Sequence, residues 1–216
     1  MSLSASASNS PSPSPSPGAP IQVYTREQNG TLPSTKTDLS TRYTTIEEGE
    51  VYLNDGRRVA LSGAASAYLM HLFKKANDNR KDRIKVRIDL QTSLAPTLST
   101  VYLQMWNGRT NAWETMDSNA LKSANEDFSL YADVTDTEYY DFRESAGEVA
   151  VRVYQLNNSG ASKILSIDLV QISFIHTYRA KYNATGNRYR EKYVSHKSKY
   201  RSKYPHKNPQ DDNDII

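Results

Sequence analysis

The chain has 216 residues, no cysteine, 37% hydrophobic residues and a formal net charge of +3. That length suits one medium domain with tails or two small domains. The lack of cysteine excludes disulfides, cysteine-based zinc sites and cysteine nucleophiles together. No stretch reaches the roughly 18 apolar residues that a membrane helix needs. Residues 1–17 lack the basic start and apolar run of a secretory signal, so the expected site of synthesis is the reducing cytoplasm.

Charge is placed unevenly. Residues 177–209 hold ten Lys or Arg against one acid, Glu191. Residues 1–176 lean acidic, and the last seven residues carry Asp211, Asp212 and Asp214. A slightly acidic body with a basic arm is the asymmetry of a tail that seeks a polyanion, or of one that charge keeps soluble.

In chain order, residues 1–20 are almost all Ser, Ala and Pro, with Ser-Pro alternating from Ser10 to Pro17. Such a segment favours extended polyproline II, buries no core and is expected to be a disordered arm. Residues 21–45 read as an irregular lead-in with an edge strand near Ile21 to Tyr24. From residue 46 the pattern is β. Val51-Tyr52-Leu53 and Arg57-Arg58-Val59-Ala60-Leu61 flank Asn54-Asp55-Gly56, which predicts a hairpin. Residues 67–73 suit either a short helix or a strand with Tyr68, Met70 and Leu72 on one face. Ile84, Val86, Ile88 and Leu90 alternate with Lys85, Arg87 and Asp89, the period of a strand with one wet face. Val101, Leu103 and Met105 alternate with Tyr102, Gln104 and Trp106. Asn107-Gly108 then turns the chain into a return strand at 112–116. Further strands are expected at 128–132, at Val149, Val151 and Val153, and at 164–175 after the turn Asn157-Asn158-Ser159-Gly160. Seven to nine short strands without βαβ spacing predict an all-β, antiparallel, jelly-roll-like sandwich over 46–176.

The order Ile84-Lys85-Val86-Arg87-Ile88, Val101-Tyr102-Leu103-Gln104-Met105-Trp106-Asn107, Trp113-Glu114, Asp141-Phe142, Gly147-Glu148-Val149-Ala150-Val151-Arg152-Val153 and Leu165-Ser166-Ile167-Asp168-Leu169-Val170 resembles the jelly-roll sandwiches related to galactose-binding and carbohydrate-binding modules. Modules of that type recur in cell-surface proteins and in viral appendage proteins. The resemblance implies the sandwich fold. It also implies that the matching Trp, Arg152 and Asp168 positions support the sandwich and do not form a sugar site. A fold of this kind hosts many functions.

Few residues suggest catalysis. His71 sits in an apolar run and reads as structural, while His176, His196 and His206 lie at or in the C-terminal arm without ligand spacing. The acids Asp133, Asp136, Glu138, Asp141 and Glu144 fall in one stretch that could suit calcium but lacks the spaced loop pattern, so a polar loop is expected, with no metal and no cofactor. No nucleophile-elbow, phosphate-loop or His-Glu-x-x-His motif is present. A working surface is sought in aromatic residues instead. Tyr102 and Trp106 are the candidate binding residues of the sandwich, and Trp113 is expected to pack over the end of the core.

The C-terminal arm carries a three-fold, 11-residue repeat of the form x-Tyr-Arg-x-Lys-Tyr over 177–209, followed by an acidic tail at 210–216. Its candidate binding residues are Tyr178, Arg179, Lys181 and Tyr182, then Tyr189, Arg190, Lys192 and Tyr193, then Tyr200, Arg201, Lys203 and Tyr204. Eleven residues nearly equal three helical turns, so six rings would share one face of a helix, but Gly186 and Pro205 interrupt it. Cations suit phosphates or acidic sugars, and the rings suit bases or sugar faces. They suit the subunits of an assembly equally well.

The leading expectation is a non-enzymatic structural or adhesive accessory protein. It would be a virion component that decorates a capsid, fibre or tail, docked to protein subunits or to copies of itself by its arms. The alternatives are a nucleic-acid- or polyanion-binding protein acting through the arm, and a carbohydrate-binding module.

Overall fold

The computed structural model describes residues 22–76, 83–135, 138–143 and 147–175. Ten strands run through them: β1 (Gln22–Asn29), β2 (Thr41–Arg42), β3 (Val59–Gly63), β4 (Tyr68–Ala76), β5 (Arg83–Thr92), β6 (Val101–Asn107), β7 (Ala112–Asn119), β8 (Phe128–Thr135), β9 (Glu148–Leu156) and β10 (Lys163–Ile175). They form two antiparallel sheets, one ordered β2-β1-β4-β9-β6-β7 and the other β3-β10-β5-β8. The fold is therefore the expected all-β sandwich. The N- and C-terminal arms lie outside the described residues.

The core follows from period-two alternation. Ile84, Val86, Ile88 and Leu90 of β5 face Val149, Val151 and Val153 of β9, Leu103 and Met105 of β6, and Phe73 of β4, all buried in one cluster. Apolar side chains removed from water on two facing sheets supply the main favourable term in such a fold.

Two readings need correction. The stretch taken as an irregular lead-in contributes β1, which pairs along its whole length with β4 and carries the short β2 on its outer side. Its period is hidden because both of its faces mix polar and apolar residues. The predicted hairpin over 51–61 does not form. Residues Thr45–Glu50 make a short helix, α1, set by a capping box: the Glu47 N–H donates to Thr44 Oγ1 and the Thr44 N–H donates to a Glu47 carboxylate oxygen at 2.8 Å. Val51 caps that helix and is buried. Gly56 does adopt a positive φ of 80°, but in a loop that is pinned to the second sheet. The Gly56 N–H donates to Asp168, and the Asn54 amide donates to Asp89 at 2.7 Å. A bulge in β10 between Ile167 and Leu169 accompanies this placement of Asp168. The ambiguous stretch at 67–73 resolves as strand β4.

The turn at 157–160 is built by one side chain. Asn157 is fully buried. Its amide donates to the carbonyls of Gly63, Ala64 and Ala161, and its Oδ1 accepts from the Ser159 N–H. It therefore satisfies backbone groups of two loops at once.

His71 faces the core from β4 with no exposed surface. Its Nε2–H donates to the Leu165 carbonyl at 3.3 Å, and its Nδ1 accepts from the Tyr43 hydroxyl, which fixes a neutral tautomer. Burial holds its pKa down at about 3, and burial likewise pushes the Tyr43 phenol well up. The folded protein thus refuses a proton that the unfolded chain accepts below about pH 6.5. Stability from this group is complete above that pH and falls as the solution is acidified toward pH 3, by up to about 1.4 kcal/mol per pH unit. Urea unfolding of wild type and His71→Gln across pH 7 to 4 should show the wild type's advantage shrinking steadily with acid. A constant difference between the two would mean that His71 is not held neutral.

Candidate functional site

The outer face of the first sheet is the most developed surface of the domain. Register places Tyr68, Met70 and Leu72 of β4 beside Leu156, Tyr154 and Arg152 of β9, and sets Tyr102 and Gln104 of β6 opposite Tyr154 and Arg152. On β7 the same face continues with Trp113 opposite Trp106, Thr115 opposite Gln104 and Ser118 opposite Tyr102. The polar positions of three alternating strands thus assemble into one aromatic field with Arg152 at its centre.

Arg152 is 6% exposed. Its Nε–H and one Nη2–H donate to Gln104 Oε1 at 2.8 and 2.6 Å, and Nη1–H donates to the Pro33 carbonyl at 2.7 Å. Gln104 is itself held, donating to Thr115 Oγ1 at 3.0 Å. The guanidinium lies 4.3 Å from the Trp113 ring centre and 5.4 Å from that of Tyr154, within range of cation–π attraction. Burial lowers its pKa to about 10, so it stays charged at neutral pH. Among the described residues its hydrogen bonds go to uncharged oxygens, and no carboxylate pairs with it.

Residues 31–40, between β1 and β2, cross this face as a strap. Besides the Pro33 contact, the Trp113 indole N–H donates to the Thr35 carbonyl at 3.2 Å, and the Leu39 N–H donates to Thr25 Oγ1. Two ion pairs join it to the sheet: Lys36 with Glu148 at 3.2 Å, and Lys74 with Asp38. Met70 and Leu72 are buried although they point away from the core.

Beyond the strap, three phenols form a group. The Tyr102 and Tyr154 rings stack with centres 5.3 Å apart and planes 22° apart, and Tyr68 meets Tyr154 edge-on at 6.0 Å. Tyr68 and Tyr102 are half-exposed, whereas Tyr154 is buried. On β7, Ser118 and Thr115 are small and exposed, and register sets them opposite Tyr102 and Gln104, on the same face as Trp113.

Of the two residues singled out on the sandwich, Tyr102 lies in this group. Trp106 is only 7% exposed and packs edge-on against Trp113 at 5.4 Å, so it is not part of an exposed surface. The two tryptophans exchange places relative to expectation: Trp113 is the half-exposed one. Arg152 does support the sandwich, as the resemblance implied. Tyr68, Tyr154 and the strap escaped sequence reasoning, because only strand register brings Tyr154 opposite Tyr102. The twelve candidate residues of the arm, from Tyr178 to Tyr204, lie outside the described residues. Of the acids considered for calcium, Asp133 pairs with Arg83 and Asp141 with Arg109, while Asp136 and Glu144 lie outside the described residues. No metal-holding group of three ligands exists among the described residues.

The sequence matches no protein-family model and no curated protein. Among solved structures, the chain is similar to the xylan-binding module CBM15, with TM-score 0.39, 12% identity, and 73% of this chain and 99% of the other covered. It is similar to a CBM4 module, with TM-score 0.38, 11% identity and coverage of 57% and 87%. It is also similar to the enzymatically active domain of bacteriophage CBA120 tailspike protein 4, with TM-score 0.33, 8% identity and coverage of 72% and 19%. Likeness at this level assigns neither ligand nor activity to the chain.

The Arg152 arrangement has a measurable consequence. Truncation in Arg152→Ala strips hydrogen bonds from Gln104 and from the strap and empties the space between two rings. It should cost about 2–4 kcal/mol in chemical unfolding. A loss below about 0.5 kcal/mol, the scale of an ordinary surface change, would show that this centre does not hold the face together.

Proposed function

We propose that the domain is a non-catalytic carbohydrate-binding module whose sugar platform is the aromatic group on the outer face of the first sheet. The observation that carries this reading is the half-exposed Tyr102, stacked on Tyr154 and flanked on β7 by the small, exposed Ser118 and Thr115. A pyranose ring presents a C–H face that packs on an aromatic ring, while its hydroxyls seek donors and acceptors at the edge of the contact. The phenols of Tyr68 and Tyr102, with Ser118 and Thr115, offer both kinds of contact within one patch. Rings and a guanidinium serve recognition rather than proton transfer, which favours binding without catalysis.

A second reading takes its support from the sequence alone. The three Tyr-Arg-x-Lys-Tyr copies in 177–209 suit a strap that fastens the chain into a larger assembly, such as a virion, or grips a polyanion. Comparing the solution mass of the full chain with that of a chain ending at Thr177 tests it: a strap predicts a larger species that is lost on truncation.

The sugar-binding reading is tested by affinity electrophoresis of the full chain in a panel of soluble neutral and acidic polysaccharides (xylan, mannan, β-glucan, galactan, polygalacturonate and alginate). Tyr102→Ala should weaken retention by the recognised polymer at least tenfold, the scale on which a lost aromatic stacking contact is felt, and should leave the unfolding midpoint nearly unchanged. If Tyr102→Ala binds as wild type does, the platform is misplaced. If no polymer retards the protein, the reading falls.

A further inference from the structure

The outer face of the second sheet is charged but internally balanced. Arg87 pairs with Asp89 at 2.8 Å, Arg83 with Asp133, and Lys85 with Asp133 at 3.8 Å. The first sheet is different. Its peripheral charges Lys74 and Glu148 are paired through the strap, with Asp38 and Lys36, while Arg152 at its centre meets only neutral groups among the described residues. A guanidinium carries five N–H groups. Three of those on Arg152 have acceptors, which leaves two, one on each terminal nitrogen. Its charge sits in low-dielectric surroundings between Trp113 and Tyr154, two positions along β9 from the stacked phenols. There its field is screened far less than that of an exposed side chain.

We infer that the aromatic face takes acidic rather than neutral sugar chains, with a uronate carboxylate settling on the Arg152 side of the Tyr102–Tyr154 pair. This rests on the sugar-binding reading above and adds the class of ligand. A carboxylate at the edge of that pair supplies, across a short low-dielectric path, the negative charge that Gln104 and the Pro33 carbonyl do not. Gln104 explains why the position is kept open: it orients Arg152 through one oxygen without neutralising it. A glutamate there would hold the same geometry and cancel the charge, so Gln104 is a positioning residue and Arg152 the group that selects the ligand.

The test uses the full chain and matched polymers: polygalacturonate, alginate and glucuronoxylan, each beside its carboxyl-reduced form. Binding is measured at high salt, which suppresses polyelectrolyte attraction by the basic arm. The wild type should prefer the acidic member of at least one pair by about tenfold, as expected when a fixed, desolvated charge meets its partner. Gln104→Glu should bring that ratio to within about twofold by pairing Arg152 internally. The arm is identical in both chains, so a preference that survives in Gln104→Glu belongs to the arm and overturns the inference. Equal binding of both members, or preference for the reduced one, also overturns it and leaves the sugar-binding reading standing. If neither member of any pair is retained, and no neutral polymer either, both fall.

Discussion

A cation taken out of water must be met by acceptors or π faces, and Arg152 sets that demand in the middle of a sheet face. Its solution organises everything around it. Gln104 is turned to present its oxygen and is fixed in turn by Thr115. Trp113 lies against the guanidinium, which brings its indole N–H to the strap. The strap passes where the Pro33 carbonyl can reach Nη1. The strap leaves Tyr68, Tyr102 and Trp113 partly exposed and Thr115 and Ser118 exposed on this field.

The two sheets divide the work. The second sheet neutralises its outer charges among neighbouring side chains and ties down the loop at 54–56 through Asp89 and Asp168. The first sheet is covered on both sides: by the core on one, and by the strap on most of the other. Its central strands therefore carry buried residues at nearly every position, as β9 shows from Val149 to Gln155. A strand of that kind belongs in the interior of a layered structure rather than at a solvent face.

Much of this was legible in the sequence, and what was not has a physical cause. Strands β5, β6, β9 and β10 were readable because Val, Ile and Leu recur at every second residue between turn signals. Strand β1 was legible only at its start, as an edge strand near Ile21 to Tyr24, since Gln22, Arg26 and Gln28 occupy its core-facing positions. The hairpin at 51–61 failed because its two halves find other partners: Val51 caps α1, β3 pairs with β10, and Asn54 and Gly56 between them bond Asp89 and Asp168. The site was half legible. Tyr102 stood out as an aromatic on the polar side of an alternating strand. Its partners Tyr154 and Tyr68 lie 52 and 34 positions away in sequence, and only the pairing β4–β9–β6 makes them neighbours.

The strap meets Arg152 and Trp113 through main-chain oxygens, at Pro33 and Thr35, not through its side chains. Any amino acid provides a carbonyl, so these two contacts place almost no demand on the residues at 33 and 35, whereas the ion pairs of Lys36 and Asp38 ask for particular side chains. The rim of the aromatic field can therefore drift in sequence while the sandwich beneath stays intact. Among homologues, the surface over this face should diversify faster than the strands that support it.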